Sequence, residues 1–339
     1  MKNLYFILIL ALFGQFSSAN EVNVYTSRHY DSDPGLYQEF TNETGVKVNI
    51  ISGKGSALLE RIKAEGKDSP ADIFFTVDAG NLWKVQKENL LQSITSTKVL
   101  DSVPDNLKGP DNQWTAIAKR ARAIFYNPLM VEENEINNLN YEDLADSKWK
   151  NRIVIRSSNN MYNQSLVASL IANLGETQTE SWVKKLVSNF ARKPQGNDRS
   201  QIMAVANGEA DIAIANSYYI GIMLSGSAGE EQLNAAKKVK MLFPNQDNRG
   251  VHINISGAGI LKYAPNVENA NLFLEFLLSK KAQKYMVEKS YEYPILKGIL
   301  PSKEIASFGL DFVEDQISVK KFGELNPNAV RLMDRAGWK

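Results

Sequence analysis

The chain has 339 residues, enough for two compact domains, and its 43% hydrophobic and 23% charged residues argue against disorder. With 39 basic and 38 acidic residues, the net charge of +1 argues against a DNA-coating or polybasic membrane role. Cysteine is absent and only His29 and His252 are histidines, which excludes disulfides, thiolate–metal chemistry and sites built on several imidazoles, while 13 residues are tyrosine.

Residues 1–19 read MKNLYFILILALFGQFSSA. A single charge, Lys2, precedes the nearly unbroken apolar run from Leu4 to Phe13, which is too short to span a bilayer. Ser17 and Ala19 then stand at the −3 and −1 positions of a cleavage site. This is the grammar of a secretory signal peptide cut after Ala19. The cut removes Lys2 and leaves equal numbers of positive and negative groups. The mature chain is expected to be soluble outside the cytoplasm, with its stability resting on a core rather than on crosslinks.

Val22–Tyr25 alternates as a strand. Asp33-Pro34 predicts an N-cap and first turn, with Leu36, Tyr37 and Phe40 on one helical face that ends near Gly45. Val46, Val48 and Ile50 predict a second strand, Leu58, Leu59 and Ile62 a second helix, and Ile73–Phe75 a short buried strand. The βαβαβ rhythm implies a parallel sheet covered by helices. Trp114–Tyr126 is a long β-rich run closed by Asn127-Pro128. A second round opens at Arg152–Ile155. It continues with helical spacing over Ser165–Leu174, Trp182–Val187 and Ser200–Ala206, and ends in a strand at Asp211–Ala215. Val251–Leu261 is a second long apolar run. Helices are predicted over Asn271–Leu278, Ala282–Val287 and Ala329–Arg335. Two α/β lobes joined by two long strands would form a hinge around a ligand cleft.

Several motifs fail. Gly53-Lys54-Gly55-Ser56 lacks the P-loop spacing, and Gly257-Ala258-Gly259 lacks the third glycine of a dinucleotide fingerprint. No Gly-x-Ser-x-Gly elbow occurs. His252 lies in an apolar run and is expected to be a satisfied structural histidine.

Four tyrosines stand out by position. Tyr30 follows the first strand, Tyr162 follows Ile153–Ile155 at a helix start, and Tyr218-Tyr219 follow Asp211–Ala215. In open parallel sheets the carboxyl ends of the strands are where ligands bind. A phenolate is a hard, anionic oxygen donor that suits Fe³⁺ better than zinc or copper(I). Ionising several phenols together needs a strong local positive charge. Four phenolates would leave Fe³⁺ with a net charge of −1, which Arg28, Arg120 and Arg122 are candidates to offset. Tyr218 and Tyr219 can converge on one ion only in a loop or at a helix start, because adjacent residues of a strand point to opposite faces.

The segments Val24–Tyr30, Ser52-Gly53-Lys54-Gly55, Ala71–Thr76, Ala213–Tyr219, Ser256–Gly259 and Glu292-Tyr293-Pro294 together resemble ferric-iron-binding proteins. These are the periplasmic solute-binding subunits of bacterial iron ABC importers, and the cyanobacterial FutA-type members are the most similar. The resemblance implies a two-lobe, type II periplasmic solute-binding fold of class α/β, each lobe a mixed sheet flanked by helices and joined to the other by two hinge strands. The lobes would comprise 20–120 plus 249–296 and 121–248 plus 297–339. It implies Fe³⁺ ligands at Tyr30, Tyr162, Tyr218 and Tyr219. His29 is a ligand in some relatives and not in others. Arg122 would compensate charge behind the ligands. Another branch of the family places a glutamate where this chain has Val77, and recruits an anion; here no obligatory anion is expected. The expected partners are an inner-membrane permease and its ATPase, with no nucleic acid, and the expected state is a periplasmic monomer. A second reading keeps the binding class but has the tyrosines stack on an organic or anionic solute such as a polyamine, thiamine, sulfate or sugar. An iron–phenolate enzyme would need more histidines than this chain has.

Overall fold

The computed structural model describes residues 20–339. The expected signal peptide lies outside the described residues. β1 (Glu21–Thr26), α1 (Asp33–Thr44), β2 (Lys47–Ser52), α2 (Gly55–Glu65) and β3 (Ile73–Val77) realise the first βαβαβ round. β1 pairs in parallel with both β2 and β3, and the two helices make the crossovers that parallel neighbours require. α1 buries Leu36, Tyr37 and Phe40 and stops at Gly45, whose φ of 73° suits a residue without a Cβ. Asp33 is not the N-cap that the sequence predicts. It is the first helical residue, after Ser32, and its carboxylate is taken by Arg28 at 2.8 and 3.0 Å. A buried guanidinium is a stronger partner for a carboxylate than a neutral backbone N–H.

The chain continues through α3 (Ala79–Lys87), β4 (Leu91–Gln92) and α4 (Thr97–Ser102) into the twelve-residue β5 (Thr115–Tyr126). After α5 (Glu133–Ile136) come β6 (Ile153–Val154), α6 (Met161–Leu174), α7 (Glu176–Ser188), α8 (Asp198–Ala206) and β7 (Ile212–Asn216). Next are α9 (Tyr218–Leu224), α10 (Glu230–Ala236), β8 (Lys240–Leu242) and β9 (Ile253–Leu261). The chain closes with α11 (Val267–Leu277), α12 (Lys280–Ser290), β10 (Tyr293–Pro294), α13 (Lys303–Ala306), α14 (Lys320–Glu324) and α15 (Asn326–Arg335).

One mixed sheet runs in the order β2-β1-β3-β9-β5-β7-β6. β5 joins its two halves. Thr115–Ala121 pairs antiparallel with β9, and Arg122–Tyr126 pairs antiparallel with β7. β9 in turn pairs antiparallel with β3, while β6 and β7 are parallel. The two long apolar runs of the sequence are therefore the central strands, buried over nearly their whole length. α14 packs against both α3 and α6, so the C-terminal segment touches elements of both halves.

His252 lies just before β9 and is buried, with its ring 4.7 Å from that of Phe322. It is structural, but it is not satisfied: its Nδ1 has no hydrogen-bond partner. Burial, and then the charges of Arg122 and Arg249, push its pKa down to about 3, so the ring is neutral. Packing holds it where hydrogen bonding does not.

Candidate metal centre

Each of the four tyrosines sits where a strand hands the chain to a helix. Tyr30 lies in the loop between β1 and α1, and its carbonyl accepts the Asp33 N–H at 3.1 Å. Tyr162 is the second residue of α6, and Asn160 caps that helix by accepting the Tyr162 N–H at 2.9 Å. Tyr218 and Tyr219 are the first two residues of α9. The preceding Ser217 is fastened to β5, its N–H donating to the Ala121 carbonyl at 2.9 Å and its hydroxyl accepting the Ala121 N–H at 3.2 Å. A helix turns about 100° per residue, whereas adjacent strand residues point to opposite faces. Starting the helix at Tyr218 is what lets both rings lie together, with centroids 4.2 Å apart.

The structure brings all four rings into one cluster. The hydroxyls of Tyr162 and Tyr218 are 3.4 Å apart, and the ring of Tyr30 meets that of Tyr218 edge-on at 5.4 Å. All four side chains are buried. The Tyr30 hydroxyl has no hydrogen-bond partner. An orphaned buried hydroxyl is costly, so its presence in a group of phenols needs a reason. A hard cation would supply one, and the donor set fits it. Among the described residues no group of three or more histidine, cysteine, aspartate or glutamate side chains could hold a metal, so the tyrosines are the oxygen-rich alternative.

Burial raises the pKa of every one of the four phenols. For Tyr30 the charge of Glu292 adds to the effect of burial, while Arg120 and Arg28 oppose it. For Tyr218 the neighbouring tyrosines add to it. Without a cation these rings are neutral phenols.

Two charge clusters flank the rings, both buried except for the partly exposed Arg156. In the first, Glu292 accepts from Arg28 at 3.0 Å and from Arg120 at 2.6 Å, and Ser256 donates to it at 2.6 Å. Burial alone would raise the Glu292 pKa, but Arg28 and Arg120 override it and hold the carboxyl at about 2. The Arg28 guanidinium lies 4.4 Å from the Tyr30 ring and that of Arg120 5.7 Å from the Tyr218 ring. In the second cluster, Asp198 takes Arg122 at 2.5 Å and Arg156 at 3.4 Å. Arg122 also donates to Asn216 at 3.0 Å and Asn163 at 2.7 Å. One carboxylate facing two guanidiniums leaves an excess positive charge there. Arg156 and Arg122 lie 5.5 and 5.9 Å from the Tyr162 ring.

His29 stacks on Tyr30, with centroids 5.2 Å apart and planes 13° from parallel, and is exposed to solvent. Desolvation by nearby protein atoms, then repulsion from Arg120 and Arg28, lowers its pKa. Val77 is buried in the same apolar cluster as the four tyrosines. Sequence reasoning missed Asp198 and Arg156, and met Glu292 and Ser256 only as parts of a resemblance. None of these carries a local signal. A charged residue becomes visible as a buried partner only once the β5 arginines are placed.

A mixed sheet whose long strand β5 pairs with β9 in one half and with β7 in the other, with tyrosines and buried ion pairs gathered beside that strand, is the architecture of a two-lobe solute-binding protein. The chain belongs to the bacterial extracellular solute-binding protein family, whose model matches residues 27–284. It is 50% identical over 319 residues to iron uptake protein A1 of Synechocystis, covering 94% of this chain and 88% of that protein. It is 29% identical over 345 residues to the major ferric iron-binding protein of Neisseria meningitidis, covering 99% and 98%. Among solved structures, the Trichodesmium FutA in complex with iron and citrate superposes with a TM-score of 0.89 at 51% identity, covering 94% of this chain and all of that one. The ferric binding protein of Campylobacter jejuni gives 0.88 at 40% identity, covering 94% and 100%.

Proposed function

We propose that this chain is an extracytoplasmic Fe³⁺-binding protein that takes ferric iron on Tyr30, Tyr162, Tyr218 and Tyr219 and delivers it to a membrane ABC importer. It is a transport protein, not an enzyme. The observation that carries the reading is the convergence of four buried phenols from three strand ends, one of them with an unpartnered hydroxyl. Relatives named for iron uptake and ferric iron binding support it.

Iron is the cargo. Its binding replaces the phenolic protons, and a surrounding poor in water strengthens the attraction between cation and phenolate. Four phenolates on Fe³⁺ carry one net negative charge, which the excess positive charge shared by Arg122 and Arg156 offsets. His29, neutral and beside Tyr30, is placed to add a nitrogen. The partner is a permease with its ATPase. The match to the bacterial extracellular solute-binding family supports this, and among the described residues no helix is long and apolar enough to cross a membrane. We read the chain as a periplasmic monomer without a nucleic-acid partner, in keeping with its balanced charge.

The test offers ferric iron to the purified protein with and without citrate and counts the metal retained after gel filtration. One iron per chain in both conditions supports the reading and the sufficiency of the protein ligands. No iron in either condition overturns it. Iron only with citrate keeps the function and makes the anion obligatory.

A further inference from the structure

We infer that Asp78 is a positioning residue that, through Ser165, latches the helix carrying Tyr162 onto the half of the molecule carrying Tyr30, and so sets how long iron is retained. The inference rests on the iron-binding reading above.

Asp78 stands between β3 and α3 with φ 73° and ψ 124°. That backbone is rare for any residue but glycine and is kept only where the surroundings hold it. An N-cap ordinarily does its work from an extended backbone with negative φ. Capping α3 therefore does not account for this conformation, although Asp78 does cap it, its Oδ1 accepting the Gly80 N–H at 2.9 Å.

Of the remaining bonds, one reaches the other half, and two run to β9, the strand that pairs with β3 in the same half. The same Oδ1 accepts the Ser165 hydroxyl at 2.7 Å, and Oδ2 accepts the Asn254 side-chain amide at 2.9 Å. The Asp78 N–H donates to the Ile255 carbonyl at 2.8 Å. Asn254 and Ile255 belong to β9, so these two bonds fix the Asp78 carboxylate and backbone on the half that carries Tyr30. Ser165 belongs to α6, three residues after Tyr162 and so on the neighbouring turn. The side chain is fully buried, and none of its hydrogen-bond partners is a cation. A buried carboxylate held this way is directional: losing one donor changes the geometry rather than exchanging one solvent contact for another.

The approach of α6 is shaped for this contact. A Cβ on Gly80 would stand 2.8 Å from the Met161 sulfur, so glycine is what lets the first residue of α6 sit against the start of α3. Met161 and Ser165 thus bracket Tyr162 with two contacts to the opposite half, one steric and one hydrogen-bonded.

The absence of native cysteine allows a clean distance measurement. Spin labels at Lys67→Cys and Lys185→Cys, both exposed, report the separation of the halves in the iron-loaded protein. Iron release to a chelator is followed on the unlabelled protein. Ser165→Ala should lose iron about tenfold faster and add a longer distance to the distribution, and Ser165→Thr, which restores the hydroxyl, should behave as wild type. Asp78→Gly, which suits the backbone and removes the carboxylate, should release iron at least as fast, and adding Ser165→Ala to it should change nothing further. Wild-type release and distances in Ser165→Ala overturn the latch, even if its melting temperature falls. Failure of the wild type to take up iron would overturn the iron-binding reading and the latch with it, whereas the Ser165 results bear on the latch alone.

Discussion

The hydroxyls of Tyr162 and Tyr218 lie 3.4 Å apart at the starts of two different helices. Two phenols at that distance can share a proton, but they cannot both ionise unless a cation sits with them. The other two tyrosines extend this pair to a set of four. What the set does depends on whether such a cation arrives.

Tyr30→Phe separates binding from stability. It removes a buried hydroxyl that has no partner, so the iron-free protein should melt unchanged or up to about 1 kcal/mol more stable. Iron affinity should fall by more than the ~10–100-fold typical of residues that only support a ligand. Chelator competition and thermal melts on the same sample check both signs.

Acid should weaken iron binding steeply. All four phenols are raised by burial, so each must give up a proton when iron binds. Affinity then rises with pH, with a logarithmic slope approaching ~4 protons per iron. Measuring affinity at several pH values gives the slope; a value near zero would show that the phenols do not ionise on binding.

Glu292→Gln should be strongly destabilising. It strips the carboxylate from between two buried guanidiniums, and breaking a buried pair in this way costs about 3–5 kcal/mol. Because the folded pKa of about 2 lies below the ordinary 4.5, the Glu292 contribution is complete above 4.5 and is lost as pH falls toward 2. Denaturant melts of wild type and variant at neutral pH measure the difference.

His252 predicts a second acid-sensitive window. Its pKa is about 3 in the folded chain against an ordinary 6.5. The neutral ring therefore stabilises the fold fully above 6.5, and this is lost at up to ~1.4 kcal/mol per pH unit as pH falls toward 3. His252→Gln should flatten the dependence of the melting temperature on pH between those limits. An unchanged slope would place the sensitivity elsewhere.

Much of the fold was legible because its elements carry strong periodicity. The buried strands β3 and β7, the long strands β5 and β9, and the amphipathic helices read directly from apolar spacing. The tyrosines were legible for a different reason: they occupy strand ends, where a core-packing role is a poor explanation. Element ends were less visible. Asp33 looked like a cap because Asp-Pro is a common helix opening, and only the position of Arg28 shows why its carboxylate is turned elsewhere. The supporting charges were nearly invisible. Glu292 meets Arg120 across 172 positions of sequence, and Asp198 meets Arg122 across 76, and neither pairing leaves a trace in local composition.

If tyrosine oxygens hold the ferric iron, the visible spectrum of the iron-loaded protein will show it. Wild type should turn orange-red from phenolate-to-iron charge transfer, and Tyr218→Phe should lose intensity together with affinity. A wild-type protein that binds iron without that colour, or a Tyr218→Phe variant with an unaltered band, would show that other groups hold the metal.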